Sequence, residues 1–374
     1  MLAHGAVAAR LGSLQPCSSM VVAAPVRRRP AAGAALLRLR HLAAATSAIS
    51  TAGDHQERAF VDIVWMHNGW DFLVPMMQKR LDLITSHRCV IRQATYDDHA
   101  RLELSSLTGA RVLVPAMAAV TPEALDAAGP GLELVYQPAV DTSRINTAAC
   151  AERGIPACNS PGSNANALAE SIVMLMLALA RDLPGGIDRC LNPPDGWGGP
   201  AGTELRGTAL GIIGDTGHSG ALLKTICGSG FGMTVRGTSS KSSRAEFEAM
   251  LAESDFLSIN CVLNDSTRNL LSDAEFALMK EGAILINCAR AGIVDRSALE
   301  AALDSGRLRG AGIDVHWEEP CEVDDPLLRR PNVIGTPHLG ASTQQFFDNV
   351  SELLRVNVEA ILAGDKEALQ NRMV

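Results

Sequence analysis

No two of the nine cysteines form a Cys-x-x-Cys pair, and they are scattered from Cys17 to Cys321. That spacing offers neither a zinc ribbon nor a disulfide framework, so the sequence predicts reduced thiols and no metal site. No apolar stretch approaches the roughly 20 residues needed to cross a bilayer; the strongest, Ile172 to Ala180, falls far short, and no membrane contact is expected. Basic residues are in deficit, 33 against 41 acidic ones for a formal net charge of −8. Phosphate backbones need a basic surface, so nucleic acid is not an expected partner. Aromatic side chains are sparse at 4%, yet 47% of the chain is hydrophobic and 20% charged, which excludes general disorder. The 374 residues allow two or three domains.

One absence is local. Residues 1–53 contain no Asp or Glu but six arginines: Arg10, Arg27, Arg28, Arg29, Arg38 and Arg40. An acid-free stretch rich in Arg, Ala and Ser has the composition of an organelle transit peptide, for mitochondrion or plastid. The alternative is a low-complexity tail without targeting function, which would leave the protein cytoplasmic.

From Ala59 onward, strand-like runs alternate with helical ones. Phe60–Val64, Arg111–Val114, Leu132–Tyr136 and Gly154–Asn159 read as strands, and Pro122–Ala128 reads as a helix opened by a Thr-Pro pair. A long helix, Ala165 to Arg181, is apolar almost all round and should be buried on most sides. Pro184–Pro200 is rich in Gly, Pro and Asp and reads as a loop. A second series follows, with strands at Ala209–Ile213, Met233–Gly237, Phe256–Ile259, Ala283–Ile286, Gly310–Val315 and Asn332–Ile334, and a final amphipathic helix at Thr343–Leu362. Repeated strand–helix units imply α/β domains with parallel sheets.

The strand Ala209–Ile213 runs into a turn carrying Gly214, Gly217 and Gly220. Glycines at a strand-to-helix turn let the backbone approach a dinucleotide pyrophosphate, whose charge is met by helix N-terminal N–H groups. The spacing is G-x-x-G-x-x-G, one residue longer than the usual G-x-G-x-x-G. The acidic residue expected about 20 positions on, which holds the ribose 2′-hydroxyl, is missing. Thr238-Ser239-Ser240-Lys241 stands there, with Arg236 and Arg244 near, so NADP is favoured over NAD.

Arg290, Glu319 and His338 follow the ends of later strands, where ligands bind in an open parallel sheet. An Arg can clamp a carboxylate, a His can move the proton that accompanies hydride transfer, and a Glu can orient that His.

With these residues in place, the sequence resembles the D-2-hydroxyacid dehydrogenases, which include glyoxylate/hydroxypyruvate reductases and phosphoglycerate dehydrogenases. The resemblance runs from about Ala59 to the C-terminus. It is densest in Asn159-Ser-Pro-Gly-Ser-Asn164, Glu204-Leu-Arg-Gly207, Ile286-Asn-Cys-Ala-Arg290, Gly312-Ile-Asp-Val315 and Thr336-Pro-His338. It implies a flavodoxin-like substrate (lid) domain over residues 54–160, completed by 342–374, and a Rossmann dinucleotide-binding domain over 161–341. It implies hydride transfer between NAD(P)H and a 2-oxo acid, with glyoxylate or hydroxypyruvate the favoured substrates, by a homodimer. Arg290, Glu319 and His338 then fall on the catalytic Arg, Glu and His. The cofactor site would take in Gly214, Gly217, His218, Ser219, Gly220 and Ser239, together with Cys261, Cys288, Ala289, Arg290, Asp314 and His338. Ala139, Val140 and Arg290 would meet the substrate. A non-catalytic dinucleotide sensor, like the C-terminal-binding-protein corepressors of this fold, is the alternative, as is a pseudoenzyme whose lengthened turn rejects cofactor.

The sequence departs from the family pattern in four places, one of them Val114-Pro115-Ala116, where phosphoglycerate enzymes have an Arg and no basic residue here offers itself to a phosphate. The glycine turn is longer, and Asn260-Cys261-Val262-Leu263 replaces the usual His and Pro of that strand end. The loop Gln137-Pro138-Ala139-Val140-Asp141 lacks the usual glycines, and Pro138 has no N–H to donate.

Overall fold

Among the described residues, eleven short strands fall into two all-parallel sheets. The computed structural model describes residues 59–67, 70–193 and 198–374; the arginine-rich stretch 1–53, with the leader expected there, lies outside them. The first sheet contains β1 (Phe60–Trp65), β2 (Arg88–Gln93), β3 (Val112–Val114), β4 (Leu134–Tyr136) and β5 (Ala157–Cys158), in the order β2-β1-β3-β4-β5. The second contains β6 (Ala209–Ile213), β7 (Thr234–Thr238), β8 (Phe256–Ile259), β9 (Ala283–Asn287), β10 (Leu308–Ile313) and β11 (Val333–Gly335), in the order β11-β10-β9-β8-β6-β7. Each sheet starts with its first strand inside and its second strand at the edge, the flavodoxin order. The winding reverses between the first and third strands, and the crevice at that reversal is where ligands bind in such sheets.

The central strands are buried on both faces, with β3, β4, β8 and β9 fully so, which is why they read as unbroken aliphatic runs. The C-terminal helix Gln344–Leu362, capped by Thr343, lays Phe346, Val350, Leu354, Val358 and Ile361 against Val61, Ile63 and Tyr136 of the first sheet. The Tyr136 hydroxyl, fully buried, donates to Val350 O at 2.6 Å, so this contact joins positions far apart in the chain.

The structure corrects the reading of Pro184–Pro200 as a loop: Leu183–Leu191 is a helix. Pro184 sits in its first turn, where a missing N–H costs nothing. Asp182 just ahead pairs with Arg189 at 2.9 Å and ties the first turns to the last. The preceding helix, Ala165–Ala180, is not buried all round either. Ile172, Leu175, Met176 and Ala180 pack on the second sheet, but Met174 and Leu177 are exposed.

Candidate active site

Strands β9, β10 and β11 lie side by side, so the segments that leave their carboxyl ends meet. Arg290 follows β9, Asp314 and Glu319 follow β10, and His338 follows β11. His338 Nδ1 donates to Glu319 Oε2 at 2.9 Å, and the other oxygen, Oε1, accepts the His316 N–H at 3.0 Å. Burial alone would raise the Glu319 carboxyl, but the His338 and His316 contacts outweigh it and hold the group below its ordinary range. The pairing leaves Nε2 as the ring nitrogen available to a reacting molecule.

His338 has φ +55, a left-handed backbone that costs a non-glycine residue on the order of 1–3 kcal/mol unless its surroundings impose it. Asp314 imposes it. Its carboxylate, 1% exposed, accepts from Thr336 Oγ1 at 2.6 Å and from the Leu339 and Gly340 N–H groups at 2.7 Å each. Its carbonyl accepts the His338 N–H at 2.9 Å.

Arg290 reaches toward the first sheet. Its guanidinium donates to Ala289 O and to Asp141 Oδ2, both at 2.7 Å, and Asp141 belongs to the loop after β4. Burial pushes the Asp141 carboxyl up, but Ser143 and the guanidinium together bring it below the ordinary carboxylate range. In the same loop, Ala139 O accepts from Ser160 N and Val140 O accepts from Asn159 Nδ2. The N–H groups of Ala139 and Val140 have no acceptor among the described residues. Two backbone donors and a guanidinium in one place suit a carboxylate.

The glycine turn sits at the switch between β6 and β8. A Cβ on Gly214 would lie 2.8 Å from the Asn260–Cys261 backbone, and one on Gly220 would lie 2.3 Å from Gly214 O. A Cβ on Gly217 would meet nothing nearer than 3.5 Å. Gly214 and Gly220 are therefore fixed by packing, whereas Gly217 keeps open the space above the helix His218–Thr225. The N–H groups of His218, Ser219 and Gly220 have no acceptor among the described residues. That cradle fits a pyrophosphate despite the extra residue.

A cavity of about 770 Å³ lies beyond the carboxyl ends of both sheets. Glu319 and His338 line it from one side, and Trp70, Tyr96, Met117 and Arg144 from the other.

The D-isomer specific 2-hydroxyacid dehydrogenase NAD-binding domain matches residues 173–340. The glyoxylate reductase of Thermococcus litoralis is 33% identical over 252 residues, covering 63% of this chain and 76% of that protein. The chain belongs to the D-isomer specific 2-hydroxyacid dehydrogenase family. The D-3-phosphoglycerate dehydrogenase of Methanocaldococcus jannaschii is 33% identical over 245 residues, which are 63% of this chain but 46% of that protein. The chain thus spans about half the length of the phosphoglycerate dehydrogenases it matches. Among solved structures, the TT0316 protein of Thermus thermophilus superposes with a TM-score of 0.73 at 28% identity, covering 84% of this chain and all of that one.

Within this dehydrogenase fold, the other residues expected at the site make the following contacts. Asp314 is consumed by the 336–340 loop and acts through His338. Cys288 is buried, and its thiol is pushed far up by burial and by Asp314. Cys261 is half-buried and pushed up to about 11 by burial. The His218 ring covers Gly162, and Ser219 Oγ accepts from Asn260 Nδ2 at 3.2 Å. Ser239 Oγ receives the Lys241 N–H at 3.3 Å. Arg236 and Arg244 do not converge on Ser239: the first pairs with Glu253 at 2.6 Å, the second with Glu248 and Glu275 at 2.7 Å each.

Two residues escaped the sequence reading. Asp141 meets Arg290 only through the fold. Asp215, the extra residue of the glycine turn, lies over Gly237 at the end of β7 and pairs with Lys224 at 3.4 Å. A carboxylate therefore does stand near that strand end, supplied by the turn instead of the strand.

Proposed function

We propose that the protein interconverts a 2-oxo acid and a D-2-hydroxy acid using a nicotinamide dinucleotide. The observation that carries this is the His338–Glu319 pair at 2.9 Å, which lines the cavity, with Arg290 supplied by the loop after the neighbouring strand β9. When bound, the dinucleotide supplies or accepts the hydride. Arg290 and the Ala139 and Val140 N–H groups hold the substrate carboxylate, and Arg290 polarises the ketone. His338 Nε2 gives its proton to the ketone oxygen as the carbon is reduced, and takes one back in the reverse direction. Glu319 accepts from Nδ1 and keeps the ring oriented. Glyoxylate and hydroxypyruvate, both small acids of this class, are the first to test. Oxidation of NADH or NADPH followed at fixed enzyme with each acid is the experiment, and no oxidation with any 2-oxo acid would refute the reading.

For the cofactor, Lys241 makes no ion pair among the described residues, while Arg236 and Arg244 are held by glutamates. With Asp215 close by, we infer that both NADH and NADPH bind, with NADPH favoured through Ser239 and Lys241 by about tenfold or less. For assembly, Met174, Leu177, Leu183, Ile187 and Leu191 leave an exposed apolar surface on two consecutive helices, which supports a homodimer. Light scattering of the parent and of Ile187→Asp tests this. Residues 1–53 are proposed as the organelle leader, tested by fusing them to a fluorescent protein and locating it.

A further inference from the structure

Arg144 lines the same cavity as His338 and Glu319, and it pairs with no carboxylate among the described residues. Its position is fixed twice. Val120 N donates to Arg144 O at 2.9 Å, anchoring the backbone, and the guanidinium donates once to Met117 O at 3.0 Å. Those bonds leave most of the guanidinium donors without an acceptor among the described residues, on a side chain that is exposed. Much of the remaining lining is apolar, with Trp70, Leu102, Leu104 and Met117, although His67, Tyr96, Thr121 and His316 also contribute. The carboxylate that also lines the cavity, Glu319, is already bonded to His338 and His316.

Size points the same way. A space of about 770 Å³ lies in the range that holds a drug-sized ligand, and glyoxylate would leave most of it to water. Neither the cofactor-turn residues nor Arg290, Ala139 and Val140 line it; its link to the reaction is the shared lining by His338 and Glu319. A largely apolar cavity with an unpaired guanidinium in its lining suits a molecule that is hydrocarbon in the middle and negatively charged at its far end.

We propose that Arg144 is the specificity-determining residue of this site and selects a 2-oxo acid carrying a second anionic group beyond an aliphatic segment. This rests on the 2-oxo acid reading above. The shared chemistry is the distal anion, either a carboxylate or a phosphate ester.

The test compares kcat/KM for 4-methyl-2-oxopentanoate, 2-oxoadipate and 3-phosphohydroxypyruvate in the parent protein, Arg144→Ala and Arg144→Lys. Calorimetric binding of the same acids to cofactor-loaded protein runs alongside. The parent should prefer at least one of the dianionic acids over the monocarboxylate by about 10- to 100-fold. Arg144→Ala should erase that preference while leaving the monocarboxylate unchanged, and Arg144→Lys should restore part of it. A preference for 2-oxoadipate identifies a carboxylate as the distal group, and one for 3-phosphohydroxypyruvate identifies a phosphate. Equal rates for all three acids in the parent, or a preference that survives Arg144→Ala, overturns the proposal while the 2-oxo acid reading stands. Arg144-dependent binding without turnover of any acid keeps the specificity role and overturns the catalytic reading instead.

Discussion

Arg290 of the β9 loop holds Asp141 of the β4 loop through a 2.7 Å ion pair that joins the segments leaving the two sheets. The proposed substrate carboxylate must therefore take the place of one the protein supplies. Both side chains are more than a third exposed, and such pairs contribute about 0.2–1 kcal/mol. Asp141→Asn should lower the KM for a 2-oxo acid by about two- to fivefold at unchanged kcat. Arg290→Ala should raise KM and lower kcat together, because it loses both the clamp and the polarisation. A raised KM in Asp141→Asn would mean that Asp141 positions the arginine and does not compete with substrate.

The His338–Glu319 pair divides its roles cleanly. His338→Ala should cut turnover by about 10²–10⁴-fold, the usual share of general acid–base catalysis, with cofactor affinity near normal. Glu319→Gln removes the carboxylate that accepts from Nδ1 and fixes the ring, and should lower kcat by about tenfold with KM near that of the parent. Thermal melts of each variant separate chemistry from folding.

Two glycines of one turn should behave in opposite ways. Gly220→Ala forces a Cβ to 2.3 Å from Gly214 O, and overpacking of this kind costs about 1–3 kcal/mol, read as a lowered Tm. Gly217→Ala has room in the protein and should cost about 1 kcal/mol or less as a helix N-cap. Its methyl group would instead occupy the cradle, and fluorescence titration should show NADH affinity lowered by about tenfold.

Cofactor choice should move with two side chains. Ser239→Asp should shift preference toward NADH, and Asp215→Asn toward NADPH, each by about tenfold in Kd. No change in Asp215→Asn would place its carboxylate away from the ribose.

Acid should loosen the cleft in a defined window. The carboxyls of Glu319 and Asp141 titrate lower in the folded protein than in the unfolded chain. Their stabilising contribution is complete above the unfolded carboxylate range of about 4 and is lost as pH falls through the lowered folded values. The double variant Glu319→Gln with Asp141→Asn should lose less Tm between pH 5 and pH 3 than the parent.

The features readable from sequence were those in which chemistry and local geometry coincide. Gly214 and Gly220 announce themselves because no other side chain fits where the turn meets its neighbours. Arg290, Glu319 and His338 each follow a strand whose aliphatic run is plain. Asp141 and Arg144 were not legible as site residues. Both sit in a polar loop, and their partners, Arg290 and Met117 O, are set by tertiary folding. Strand β2 was missed because, as an edge strand, it carries Arg88 and Arg92 within its run, the latter paired with Asp62 at 2.8 Å. The helix Leu183–Leu191 hid behind Pro184, Gly185 and Gly186, residues that usually mark a loop.

The bond from Tyr136 to Val350 bears on the order in which the molecule is made. The first sheet is translated before the second, yet the helix that covers its apolar face comes from the last thirty-one residues, after position 343. While the chain is still on the ribosome, Val61, Ile63 and Tyr136 lack the side chains that bury them. The second sheet, with strands spanning 209 to 335, has all its strands earlier than that cover arrives. The half synthesised first is thus the half completed last, and a nascent chain halted before residue 343 should recruit chaperones through its N-terminal sheet.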